Sequence, residues 1–404
     1  MKIRKFRAYK IFNSIGQEAV EVEITDDSNL VGRASAPSGS SVGKHEVMAY
    51  SKEGINSTVE IANKEMSKTL MSRTVETFED LDRIEMALKN VDNTKKLERI
   101  GGNVIIATEL AILNLASKGK LWKFLGGDNQ KMPFPLGNCV GGGKHIVGIG
   151  PDIQEFLALP KAQKFYDSAH INIELHNQLA IELKKRDKNF TGSMTYEGAW
   201  TSTLPDLHLL EIFKKTADNV SKELKTEIGI GIDLASSELW NGRKYEYKKY
   251  SNLFQKKIFS PEQQMRFIKN IIINYGLIYI EDPLHEDDFE NYKILKEEMK
   301  DEKVLICGDD LVATNPERLK KAINCINAVI VKPNQIGSLI KTKEVIDIAK
   351  QNKIIPVLSH RSGEVTDNLL SHLAVGFGIP IIKCGVVGGE RITKINELIR
   401  IEDS

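Results

Sequence analysis

Six short apolar runs beyond residue 200 end in ionisable side chains. "IGIGID" ends in Asp233, "GLIYIE" in Glu281, "VLICGD" in Asp309, "AVIVK" in Lys332, "IIPVLSHR" in His360 and Arg361, and "IPIIK" in Lys383. Short apolar runs bounded by turn signals read as buried strands. A charged group buried without partners costs roughly several kcal/mol. The pattern therefore predicts strands that cross a core and deliver polar groups at its mouth. A single polar strand end has a bland explanation, because loops are polar, but this series implies a site. Three carboxylates on one rim repel unless a cation lies between them, and a hard cation such as magnesium takes carboxylate oxygens while keeping waters. Lysines and an arginine on the same rim suit an anionic substrate and the charge that develops on it.

Most of these runs are followed by a helical pattern, and strands alternating with helices predict a parallel sheet. Eight such units, counting two less regular ones from about Leu136, would close a barrel whose C-terminal strand ends meet on one face. The first third differs. "AYKIFNS", "AVEVEIT" and "LVGRASA" read as strands; in the second, Val20, Val22 and Ile24 alternate with Glu21 and Glu23, as in a sheet with one wet face. "NSTVEIANKEMSKTLM" and "NVIIATELAILNLASKG" have helical apolar spacing. The turn-rich "LGGDNQKMPFP", Leu125 to Pro135, marks a boundary. The expected organisation is an α/β chain with a small α+β domain over 1–125 and a β/α barrel over 126–404.

The 404 residues are 41% hydrophobic and 27% charged, an ordinary globular composition. A net charge of +1 gives no electrostatic case for nucleic acid or an anionic membrane. "MKIRKFRAYKIF" lacks the apolar core of a secretory signal, and no window is long and apolar enough to span a bilayer. Cys139, Cys307, Cys325 and Cys384 are scattered without metal spacing and read as reduced core thiols of a cytoplasmic protein. The tail "ELIRIEDS" reads as a solvated helix end.

The motifs "PSGSSVGKHE", "GGGKHIVGIGPDIQEF", "YEGAW", "YIEDPLHEDDFENY", "CGDDLVATN", "VKPNQIGSL", "VLSHRSGE" and "IIKCGVVGGER" together closely resemble the enolase family over nearly the whole chain. The resemblance implies an α+β domain capping a modified β/α barrel with irregular first turns and one antiparallel strand. It implies a hydro-lyase of glycolysis that reversibly dehydrates 2-phosphoglycerate to phosphoenolpyruvate, a small phosphorylated carboxylate being the substrate. Two magnesium ions and a homo-oligomer are also implied. Enolase-superfamily sites pair a Lys or His base with magnesium that stabilises the enolate.

By the match, Asp233, Glu281 and Asp309 hold the first magnesium, and Ser41 in a closing loop reaches the second and the substrate. Lys332 is the general base, its pKa lowered by metals and nearby cations. Lys383 neutralises the substrate carboxylate, and Arg361 and Ser362 hold the phosphate. Glu197 protonates the leaving hydroxyl with Glu155 beside it, while His145 and His360 line the pocket. Taken alone, Glu155 also fits a cap or ion-pair partner, His45 a core or hinge histidine, and "GGGKH" a flexible loop. Asp282 and Asp310 read as supports for the ligands beside them.

Several neighbours depart from the family pattern: Thr195 and Tyr196 before Glu197, Ile15 where an arginine is common at the dimer contact, Val42 in the loop, Pro333 after the base and Cys384 after Lys383. Two alternatives therefore stand beside the enolase reading. One is an enolase-like hydratase for a related phosphorylated or phosphonate substrate. The other is a non-catalytic binding protein on the same fold.

Overall fold

The computed structural model describes residues 1–39, 43–127, 131–249 and 257–404. The N-terminal sheet is an antiparallel meander of β1 (Ile3–Phe12), β2 (Glu18–Asp26) and β3 (Val31–Ala36). Val20, Val22 and Ile24 are fully buried, while Glu21 and Glu23 reach the wet face; there Arg33 pairs with Glu23 at 2.7 Å. The period-two expectation holds. The helix Gly102–Ala116 packs on β2 and β3. It approaches so closely that a Cβ at Gly32 would meet the Ala111 carbonyl at 2.4 Å. This helix is buried on nearly every side, because its far face meets the short helix Pro333–Ile336 of the barrel. The stretch read as one helix, Asn56 to Met71, is helical from Ile55 to Leu70 but opens into a π-turn over Ala62–Met66.

The remaining strands are β4 (Phe134–Gly141), β5 (Glu155–Pro160), β6 (Ile228–Asp233), β7 (Tyr245–Tyr247), β8 (Lys257–Phe259), β9 (Tyr279–Glu281), β10 (Leu305–Gly308), β11 (Ala328–Val331), β12 (Ile355–Ser359) and β13 (Ile381–Gly385). β7 and β8 form a separate two-stranded ribbon. The other eight close a barrel in the order β4-β5-β6-β9-β10-β11-β12-β13. β5 runs antiparallel to both neighbours, and every other adjacent pair is parallel. Leu136, Leu157, Tyr279, Ile330 and Val357 fill the interior as a packed core. This is the α/β architecture expected from the sequence, including the one reversed strand.

The C-terminal tail corrects its sequence reading. Leu398 and Ile401 are buried, and Glu402 accepts hydrogen bonds from the backbone of Phe165 at 2.5 Å and Tyr166 at 3.1 Å. Its carboxylate satisfies the exposed N–H groups that open the helix Phe165–Arg186. A solvated helix end leaves out this docking, which depends on a partner more than 200 residues away. Among the described residues no helix is long and apolar enough to cross a membrane.

Candidate active site

The polar strand ends converge on one cavity, whose wall includes Asp233, Asp309, Lys332, His360, Arg361 and Lys383. Asp233 closes β6 and Glu281 closes β9; Asp309 and Lys332 follow β10 and β11 directly. Lys383 lies inside β13, and its ammonium stands 2.7 Å from Glu281, 2.9 Å from Glu155 and 3.1 Å from Asp233. One cation thus binds carboxylates from three strands. Burial opposes the charge of Lys383, but Asp233, Glu155 and Glu281 outweigh it and hold its pKa well above the usual lysine value. Burial, reinforced by Asp233, pushes Glu281 well above the ordinary carboxyl range. Tyr279, two residues earlier on β9, donates to Glu281 at 2.6 Å from inside the barrel.

Lys332 donates to Asp309, which also accepts from Gln335 at 3.0 Å. Burial disfavours the Lys332 ammonium, but Asp309 more than compensates, and the pKa lies above the usual value despite Arg361 and Lys383 nearby. The expected depression of this pKa is therefore absent in this state, because the adjacent carboxylate outweighs the adjacent cations. Asp282 accepts from the backbone N–H groups of Asp309 and Asp310 at 2.9 and 2.8 Å. It orients Asp309 as a supporting residue should.

Glu155 reaches this face because β5 is reversed: it opens its strand where the neighbours close theirs. Burial, together with Glu197 and Asp233 and against Lys383, pushes its carboxyl up to about 8. Glu197 sits in the turn after Thr195 and accepts from Asn138 at 3.0 Å. His360 Nε2 lies 3.4 Å from the same Glu197 oxygen. His145 lies between two carboxyl groups, 3.9 Å from Glu155 and 3.9 Å from Glu197. Burial opposes ionisation of Glu197, but His360 and His145 outweigh it and keep its carboxyl well below the ordinary range. Burial pushes His360 down to about 4, while Glu197 pulls its pKa upward. Two neighbouring carboxyls are thereby driven apart, one retaining a proton and one losing it, which is the arrangement acid–base chemistry requires.

Arg361 points into the cavity, gripped by Glu46 at 3.1 Å and by Asn334 at 2.8 Å. Ser362 lines the wall beside it. Ser41 and Val42 lie outside the described residues. His45 stands 2.9 Å from Asp287, half-buried and outside the core. The Tyr196 ring is 42% exposed and is absent from the cavity wall. Pro333 opens the helix Pro333–Ile336, a position where its missing N–H has no helical partner to lose.

The donor set suits a divalent cation. The cavity wall carries eight carboxylates against three permanent cations, Lys332, Arg361 and Lys383. The carboxylates are hard oxygen donors, and Asp282, Asp309 and Asp310 can each present an oxygen within 4.8 Å of the others. Sequence reasoning missed Glu46, Asn138, Tyr279 and Gln335. Glu46 lies within the quoted "GKHE", but nothing local says that it meets an arginine 315 residues away.

Family models described as "Enolase, N-terminal domain" and "Enolase, C-terminal TIM barrel domain" match residues 3–125 and 129–404. The chain belongs to the enolase family. It is 41% identical to an enolase of Pyrobaculum aerophilum, over 98% of this chain and 94% of that protein. It is 39% identical to an enolase of Methanothermobacter thermautotrophicus, over 99% and 96% of the two chains. With an enolase of Archaeoglobus fulgidus the identity is 40%, over 97% and 95%.

Proposed function

We propose that this chain is an enolase, a hydro-lyase that reversibly dehydrates 2-phosphoglycerate to phosphoenolpyruvate. The observation that carries the reading is the pairing at one barrel mouth of two lysines with carboxylates from different strands, buried Lys383 on Glu155, Asp233 and Glu281, and half-buried Lys332 on Asp309. Asp233, Glu281 and Asp309 would hold magnesium, with the Ser41 segment reaching a second ion. Bound there, magnesium would neutralise these carboxylates, loosen the hold of Asp309 on Lys332 and stabilise negative charge on the substrate carboxylate.

Arg361 and Ser362 bind the phosphate, the arginine by its planar fork. Lys383 faces the substrate carboxylate. Lys332, as the free amine, takes the proton from carbon 2. The electron pair left on carbon 2 forms the double bond as hydroxide leaves carbon 3, and the hydroxide departs as water with one proton. Glu155, which retains a proton at neutral pH, supplies that proton, and His145 between the two carboxyls passes it to Glu197, which hands it to the leaving hydroxide and ends ionised again. His360 and Asn138 hold Glu197 in place. The burial of the acid end excludes water from the proton path.

The test is turnover of 2-phosphoglycerate by the purified chain, followed by the ultraviolet absorbance of the enol product. Turnover should require magnesium, stop with a chelator and return when the metal is restored. No turnover with any divalent metal would overturn the reading. The position of Tyr196 outside the cavity wall removes the feature that favoured a phosphonate hydratase, and the buried acid–base set argues against a non-catalytic protein. We also place the domain division after residue 125, expect the protein in the cytoplasm, and expect a homo-oligomer. The exposed Phe12 and half-buried Ile15 of the β1–β2 hairpin would give that oligomer a largely apolar, salt-insensitive seam, which light scattering in high and low salt tests.

A further inference from the structure

Arg391 lies on the C-terminal helix Gly389–Glu402 and is fully buried, yet it lines no part of the active-site cavity. Its Nη1 donates to the Arg361 carbonyl at 2.6 Å. Its Nη2 donates to the Ser362 carbonyl at 2.9 Å and to the Tyr196 carbonyl at 3.5 Å. The carboxylates of Glu390 and Glu364 stand 3.4 and 3.9 Å away and offset the desolvation of the guanidinium. One turn along the same helix, buried Lys394 donates to the carbonyls of Val365 and Asp367 at 2.7 and 2.8 Å. Two buried cations thus fasten the segment 361–367 by its backbone, and only Arg391 also reaches the separate turn that carries Glu197.

That turn is pressed against the same region. A Cβ at Gly385 would lie 2.2 Å from the Glu197 carbonyl and 3.2 Å from Arg391 Cγ. A Cβ at Gly198, where φ is +76°, would lie 2.5 Å from the Val387 carbonyl. The turn is therefore seated on the end of β13 and the start of the C-terminal helix, with Arg391 tying it across to the phosphate-binding segment.

We propose that Arg391 is a positioning residue that sets the spacing between Glu197 and the Arg361–Ser362 pair; this rests on the enolase reading above. The chemistry asks for such a device. Phosphate and leaving hydroxyl sit on adjacent carbons of the substrate, so the groups that hold one and protonate the other must keep a fixed separation. They come from chain segments more than 160 residues apart, linked at the side chains by His360 on Glu197 and at the backbone by Arg391. A guanidinium fork can hold two segments at once, whereas a lysine ammonium is a point charge that cannot reproduce the fork. Misplacing a reacting group by about 1 Å can cost about 10²-fold in rate.

The test separates the two halves of the reaction in the Arg391→Lys protein, which keeps the charge and loses the fork. Exchange of the carbon 2 proton in deuterated water reports Lys332 alone, and phosphoenolpyruvate formation reports loss of the hydroxyl as well. We expect dehydration to fall about 10²-fold, while exchange and the KM for 2-phosphoglycerate change less than about threefold and the folded fraction is retained. Gly385→Ala, which pushes the Glu197 turn off β13 by a different route, should give the same split and decides the matter where Arg391→Lys does not fold. Equal loss of exchange and dehydration, as a merely structural role would produce, overturns the inference, and so does loss of neither. A wild-type protein that neither exchanges nor dehydrates is a different result, because it refutes the enolase reading itself.

Discussion

Glu155 and Asp233 face each other as paired residues of β5 and β6, although Glu155 opens its strand and Asp233 closes its own. Reversing one strand brings a residue from the wrong sequence end to the barrel mouth. The two carboxyls share the Lys383 ammonium, at 2.9 and 3.1 Å. One structural choice therefore adds a carboxyl to the rim, and burial leaves that carboxyl protonated at neutral pH.

Lys332→Ala should abolish exchange of the carbon 2 proton, since no other amine follows β11 at the mouth. Loss of a general base typically costs about 10²–10⁴-fold. Nuclear magnetic resonance of 2-phosphoglycerate in deuterated water reads it directly. Exchange at the wild-type rate would assign the base elsewhere.

Asp233→Asn, Glu281→Gln and Asp309→Asn should each weaken magnesium binding together with activity. Because burial holds Glu281 well above the ordinary carboxyl range, protons compete with the metal there, and magnesium affinity should fall as pH is lowered. Calorimetric titration of each variant with magnesium, without substrate, checks both points. Unchanged isotherms in all three would put the metal site somewhere else.

The sequence made some parts of this molecule legible and hid others, for physical reasons. The parallel strands could be read because each is a short apolar run ending in charge, as at "AVIVK" before Lys332. The meander could be read from the alternation of Val20, Val22 and Ile24. The role of Glu155 could not be derived from its surroundings, since strand direction is a tertiary property and "IQEF" reads the same either way. Glu46 on Arg361, Tyr279 beneath Glu281 and Arg391 behind the site were equally hidden. Each meets its partner through the fold rather than through spacing, except Tyr279, whose i, i+2 relation to Glu281 put both on one face of a strand. The pKa of Lys332 went the other way from expectation because the number of cations nearby was legible while the contact with Asp309 was not.

Asp206 supplies a pH dependence independent of the metal site. It accepts from the Ile153 backbone at 2.9 Å, at the approach to Glu155. Burial, with Asp152 adding, pushes its carboxyl up to about 7, well above the usual range for an aspartate. The folded state therefore holds this proton more tightly than the unfolded chain does. The resulting stabilisation is complete below about pH 4 and is lost as pH rises to about 7, up to about 4 kcal/mol in all. Asp206→Asn should flatten that part of the urea midpoint against pH curve, so that wild type loses more stability than the variant between pH 4 and 7. Parallel curves would mean that Asp206 is ionised in the folded protein.

Tyr196→Asp tests whether the departure beside Glu197 alters specificity. The ring is 42% exposed and outside the cavity wall, and Glu197 takes its support from Asn138, His360 and His145. The backbone carbonyl of Tyr196, which Arg391 binds, is unaffected by a change of side chain. A new carboxylate at a half-exposed position is screened by solvent, so its effect on Glu197 should be under about 1 kcal/mol. The ratio of specificity constants for 2-phosphoglycerate and a phosphonate analogue should then stay within about fivefold of wild type, the factor that 1 kcal/mol sets. A larger shift toward either substrate would show that the ring turns inward when substrate binds, and would return the leaving-group end of the pocket to Tyr196.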